Sequence, residues 1–146
     1  MRRIVLAALC AALPSVALPC LALPSGAEAN VLARVDHATQ TMNVSRRRFP
    51  GLSLAGLDRP VGFGTPAGTF RPQRMAVRWF STVYYNAPMP HAIFFHGGYA
   101  IHGSYHIARL GGPASHDCIR QHPSGAVALF GIVQREGMQN TTIVVH

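Results

Sequence analysis

The side chains best suited to covalent chemistry are a cysteine two residues after a histidine, in Ser115-His116-Asp117-Cys118-Ile119-Arg120, and a second histidine, His102, sixteen residues before that cysteine. A thiol attacks only as thiolate, and a neighbouring imidazole is the usual means of making one. Acyl transfer by a thiol requires a base for its proton, a group that orients the base, and donors for the developing oxyanion. Cys118 serves as nucleophile. His102 serves as base if residues 103–117 fold back over it. His116 competes for that role, but adjacent side chains on extended backbone point to opposite sides, and position i−2 suits a ring-to-sulfur bond poorly in a tight turn. His102 is therefore preferred as base, with His116 shaping the loop or touching substrate. Asp36, Asp58 and Glu136 are distant in sequence, so a backbone carbonyl is an alternative orienter for His102.

The elements that must hold these groups read as short strands with one helix. Val31–Asp36 and Thr41–Val44 are β-type runs across a polar turn. Gly51–Gly68 is rich in Gly and Pro and reads mostly as loop. Met75–Phe80, with Val77 and Trp79 alternating against Arg78, reads as a half-buried strand, and Trp79 as core. His91–Phe95 and Tyr99–His102 form a hairpin through Gly97-Gly98. Residues 103–117 carry no clear element, and long irregular segments in compact domains are commonly functional. From Pro123 and Ser124 a helix follows, with Ala126, Leu129, Phe130 and Val133 on one face and Gly137 at its stop. Thr142–Val145 reads as a closing strand. The fold class is mainly β, a sandwich or barrel-like domain with one helix after the Cys118 motif, not a βαβ fold.

The first residues point to export. Arg2-Arg3, the apolar run Ile4–Leu23 and Ala27-Glu28-Ala29 have the form of a secretory signal peptide cut after Ala29. Pro14, Pro19 and Pro24 argue against a membrane anchor, and Pro19 before Cys20 argues against a lipoprotein site. Residues 30–146 then form one domain, large enough to bury a core, with no room for a separate wall-binding domain. Cys10 and Cys20 leave with the signal, so Cys118 has no partner for an intramolecular disulfide. It is either an inert buried thiol or a reactive one.

The chain has 13 basic and 5 acidic residues, and every basic one is arginine. Guanidinium suits bidentate binding of carboxylate or phosphate. Export disfavours nucleic acid and favours an anionic envelope polymer, while simple solubility explains the excess equally well. Arg46-Arg47-Arg48 reads as a solvated edge or loop.

Taken together, Met89–Arg120 and, more loosely, the chain to Val145 resemble the L,D-transpeptidases, cysteine enzymes of bacterial cell walls. The resemblance rests on Ile101-His102-Gly103-Ser104, the run Ser115–Arg120, and the upstream turn Thr65-Pro66-Ala67-Gly68-Thr69-Phe70. Val35-Asp36 and Gln40 resemble the family's opening strands. The resemblance implies a β-rich catalytic domain that attacks the third residue of a peptidoglycan stem at its L-centre, releases D-Ala, and passes the acyl group from Cys118 to an amine, giving a 3→3 cross-link. It implies that His102 takes the thiol proton, that the Gly103 carbonyl holds the other ring nitrogen, and that amides around His116, Asp117 and Cys118 form the oxyanion hole. Ser115 and Arg120 would shape the loop, with Arg120 near a substrate carboxylate. The family's glycine between His and Cys is Asp117 here, and aspartate tolerates the left-handed region better than most residues.

No cofactor is implied, and no stable membrane insertion after signal removal. A hydrolase on the same acyl-enzyme path is one alternative. Another is a non-catalytic wall-binding or metal-binding protein, since His96, His102, His106 and His116 with Cys118 are all donor types for zinc or copper, although the spacing is not that of a finger. Outside the metal reading, His96 and His106 are pocket or surface histidines. Tyr99 and Tyr105 are packing residues with one polar end, Tyr99 being the candidate for substrate contact.

Overall fold

Alternation in the first strand sets the architecture. Val31, Ala33 and Val35 are fully buried while Leu32, Arg34 and Asp36 are not, so one face of β1 (Val31–Asp36) turns inward. In the computed structural model, residues 29–47, 49–55, 64–110 and 118–146 are described. The expected signal segment through residue 28, Arg48, and Ser115, His116 and Asp117 lie outside them.

After β1 come β2 (Thr41–Arg46), β3 (Phe49–Ala55), β4 (Gly68–Phe70), β5 (Arg74–Ala76), β6 (Ala92–His96), β7 (Tyr99–Gly103), β8 (Ile119–Gln121), the helix α1 (Pro123–Glu136) and β9 (Thr141–Val145). They form two sheets, one in the order β3-β2-β1-β9-β4 and one in the order β5-β6-β7-β8. β1 and β9 run parallel, with Val31 opposite Thr141, as do β7 and β8, with Ile101 opposite Ile119. The remaining pairs are antiparallel.

The main core lies between the sheets and α1. Val31, Ala33 and Val35 meet Met42, Val44, Ile143 and Val145 from the first sheet, Ile93, Phe95, Ile101 and Ile119 from the second, and Leu129, Phe130 and Val133 from the helix. α1 packs on β7 and also touches β1 and β6. Each buried branched or aromatic side chain of this kind contributes roughly 1.5–3 kcal/mol relative to exposure. The helix begins where Pro123 occupies the first turn and the His122 side chain accepts from the Ser124 amide. It ends at Gly137, whose φ of 94° is accessible to glycine and whose N–H reaches Val133 O.

The second sheet is covered on both faces, which explains why β6 reads as a continuous apolar run. Ile93 and Phe95 face the main core; Ala92 and Phe94 face a smaller cluster with Met89, Ala100, Trp79 and Cys118. That second face carries the site.

The expected mainly β fold, hairpin, helix and closing strand all occur. Two expectations change. Residues 51–55, expected as the start of a loop, belong to the strand β3, and residues 56–63 of that expected loop lie outside the described residues. The expected strand Met75–Phe80 stops at Ala76: residues 77–78 bend, Val77 is 53% exposed, and Trp79 lies half-buried in the smaller cluster, outside the main core. Among the described residues, no helix is long and apolar enough to cross a membrane.

Candidate active site

Parity in the β7–β8 ladder brings the two candidate residues, His102 and Cys118, to one face. His102 is the register partner of Arg120, and Ile101 that of Ile119. Ile101 and Ile119 point into the main core, so Ala100, His102 and Arg120 take the opposite face, and Cys118, two positions before Arg120, joins them. A one-residue slip of either strand would send the histidine or the cysteine into the core. Cys118 is partly buried, and its Sγ lies 3.9 Å from Gly98 O at the hairpin turn.

His102 is 5% exposed. Its Nδ1 lies 2.7 Å from Gly103 O. A carbonyl only accepts, so Nδ1 carries the hydrogen and donates, leaving Nε2 with the lone pair. Burial pushes the imidazole down to about 4; the Gly103 hydrogen bond opposes it in part, and the Arg120 guanidinium adds a smaller push downward. His102 is therefore neutral at physiological pH, in the state that accepts a proton.

Gly103 is required at this point by close approach. A Cβ there would meet Pro90 Cγ at 3.2 Å, and Ala126 Cβ and Pro90 O at 3.3 Å. Its amide already donates to Pro90 O at 2.8 Å, while the next amide, Ser104, donates to Gln121 O. The backbone that holds the imidazole is thus pinned from β8, from α1 and from the segment before β6.

His102, Cys118 and Arg120 open onto a cavity of about 520 Å³. Its floor is Phe94 with Met89, and its far wall is Arg74 and the loop 79–89. That loop doubles back through Ser81 N–H to Ala87 O and Met89 N–H to Trp79 O, with Tyr85 and Asn86 in the left-handed region at its tip. Tyr99 borders the cavity, while its ring packs against the main core and lies 5.8 Å from the His96 ring. Tyr105 is 66% exposed, which corrects the packing role expected for it. His96 and His106 are exposed. Among the described residues, no three of His, Cys, Asp or Glu converge as a metal site would require; His116 lies outside that set. Arg74 and the loop 79–89 escaped the sequence reading. The Asn86 and Pro88 pair signals a turn, but nothing near Arg74 in sequence marks it.

A model of the L,D-transpeptidase (YkuD) catalytic domain matches residues 32–145. The chain belongs to this family. The fold agrees with solved members. An L,D-transpeptidase from Mycobacterium smegmatis superposes with a TM-score of 0.70 at 22% identity, over 81% of this chain and 59% of that one. One from Stackebrandtia nassauensis gives 0.64 at 20%, over 80% and 55%. L,D-transpeptidase 1 of Mycobacterium tuberculosis gives 0.62 at 21%, over 80% and 62%. The chain thus spans less than two thirds of the length of these L,D-transpeptidases. A search among curated proteins finds no match in sequence.

Proposed function

We propose that this domain catalyses peptidoglycan L,D-transpeptidation through an acyl-thioester on Cys118. The observation that carries the reading is the His102 Nδ1–H bond to Gly103 O, which leaves Nε2 as the basic nitrogen on the face shared with the thiol. Nε2 takes the Cys118 proton as sulfur attacks the carbonyl of the third stem residue. The tetrahedral intermediate collapses, the carbon–nitrogen bond to D-Ala breaks, and the proton passes from His102 to the departing amine. An amine of a second stem then attacks the thioester and gives its proton to His102. The new amide is the 3→3 cross-link, and the proton returns to sulfur. General-base help of this kind is worth about 10²–10⁴ in rate.

Arg120, beside His102 in register, is suited to the carboxylate of the departing D-Ala. The oxyanion donors are the amides around His116, Asp117 and Cys118, with Ser115 shaping the same loop. Asp117 stands at the family's glycine position, and aspartate enters the left-handed region more readily than most residues. The export pattern in residues 1–29 and the proposed substrate together support a periplasmic location.

Mass spectrometry of a disaccharide-tetrapeptide incubated with the protein and with Cys118→Ala tests this. Cross-linked dimer from the wild type alone is expected. Tripeptide monomer without dimer would turn the reading to a hydrolase. Unchanged substrate with folded protein would overturn acyl transfer.

A further inference from the structure

The cavity that holds Cys118 and His102 is apolar over most of its wall, and the side chains on it that carry a formal charge at neutral pH are two guanidinium groups, Arg120 and Arg74. They stand on opposite sides. Arg120 is on β8, beside the thiol. Arg74 is on β5, the other edge of the same sheet. Because Arg74 is the register partner of Phe94, its side chain rises on the cavity face.

Arg74 is held there by two rings. Its Cζ lies 4.0 Å from the Phe94 ring centre and 4.2 Å from that of Trp79. Those rings meet edge to face at 79°, centroids 5.6 Å apart, so the guanidinium sits in the corner between them. Both distances are within cation–π range, and the side chain stays exposed, so its N–H donors remain open to a carboxylate. Among the described residues Arg74 has no acidic partner: Asp36 accepts from turn amides and Glu136 faces Arg46. A guanidinium fixed by two aromatic rings beside a reactive centre, without a counter-ion among those residues, is a binding group set in advance.

We propose that Arg74, oriented by Trp79 and Phe94, is a specificity-determining residue that binds a second carboxylate of the acyl donor, on the acyl side of the bond that Cys118 attacks. This rests on the transpeptidase reading above. The spacing supports it. The Arg74 guanidinium lies over β6, two strand spacings from β8, so roughly 10 Å from the strand that Cys118 leads. The leaving-group carboxylate is too close to the scissile carbonyl to span this gap. Two carboxylates on the acyl side have the reach: one on the side chain of the third stem residue, where that residue is diaminopimelate, and that of the residue before it. Both present the same chemistry to the guanidinium.

The test uses three donors: one with both acyl-side carboxylates free, and two with one or the other converted to the amide. D-Ala release is followed for wild type, Arg74→Gln and Arg74→Lys, and binding of each donor to Cys118→Ala with and without Arg74→Gln is measured by calorimetry. Arg74→Gln is expected to raise KM about 10-fold or more on the free donor, with kcat little changed. One of the two amides should weaken the wild type equally and add nothing in Arg74→Gln; which amide does so identifies the carboxylate. Arg74→Lys should restore part of the loss. A loss that is the same for all three donors would mean a structural role and overturn the proposal. Wild-type protein that turns over no donor would sink the transpeptidase reading instead; the calorimetry then still decides, since equal affinity with and without Arg74 refutes the carboxylate contact.

Discussion

Acidification from pH 7 to 4 should weaken this fold through one side chain, His102. Folded, its imidazole is held down to about 4 against an ordinary 6.5, chiefly by burial. Between those values the unfolded chain binds a proton that the folded chain refuses. Stability therefore rises with pH across this window, is complete above about 6.5, falls as pH drops towards 4, and stops changing from this source below that. Each pH unit of the gap is about 1.4 kcal/mol, so the full loss is about 3 kcal/mol. In urea titrations this moves the midpoint by about 1–3 M. The matched control is His102→Asn: its amide nitrogen can replace Nδ1 as donor to Gly103 O, but it does not titrate. Subtracting its pH profile from that of the wild type isolates the contribution of His102. Asp36, whose carboxyl the turn amide of Thr39 holds below 3.8, acts at lower pH and stays outside the window. Identical profiles for wild type and His102→Asn between pH 6.5 and 4 would refute a buried, neutral His102.

Gly103→Ala should cost about 1–3 kcal/mol, because the new methyl meets Pro90 and Ala126 at 3.2–3.3 Å and Pro90 O is already bonded to the Gly103 amide. A thermal midpoint lowered by several degrees, with a larger fractional loss of Cys118 acylation than of stability, is the expected pair of results; an unchanged midpoint would show that the approach is not tight. Arg120→Gln removes the charge beside His102, so NMR titration should find its imidazole raised above the wild-type value, yet still below 6.5, since burial is the larger cause. A value that falls would reverse the electrostatic reading.

How far the chain could be read from its residues depended on whether the signal was local. β1, β9 and α1 announce themselves through faces: Val31, Ala33 and Val35 at period two, and Ala126, Leu129, Phe130 and Val133 at helical spacing. Gly97, with φ of 53°, marks the β6–β7 turn. β3 escaped because Pro50 and Gly51 read as breakers. Yet β3 is an edge strand, and Pro50 falls where its register with β2 shifts, the kind of place where a strand accepts proline. Met75, Val77 and Trp79 have a strand's alternation, but after Ala76 the chain leaves the sheet to build the cavity wall. Cys118 and His102 were legible because thiol and imidazole chemistry is rare and their spacing is distinctive. Arg74 was not: its meaning comes from the register that sets it over Phe94, twenty residues away in sequence.

The position of β9 has a consequence for when this protein can exist at all. It lies between β1 and β4, and it is the strand that joins the β1–β3 hairpins to the rest of the first sheet. Val31 pairs in register with Thr141, so the ladder that closes the core unites residues from opposite ends of the domain. A ribosome making the chain delivers β1 before the other strands described and its partner β9 after them. Until then Val31, Ala33 and Val35 have only β2 beside them, and the inner face of that meander has lost half its cover. Such long-range parallel pairing is slow to form. Completion of the first sheet therefore waits for β9, and until it enters, the apolar face of β1 lacks one of its two neighbours.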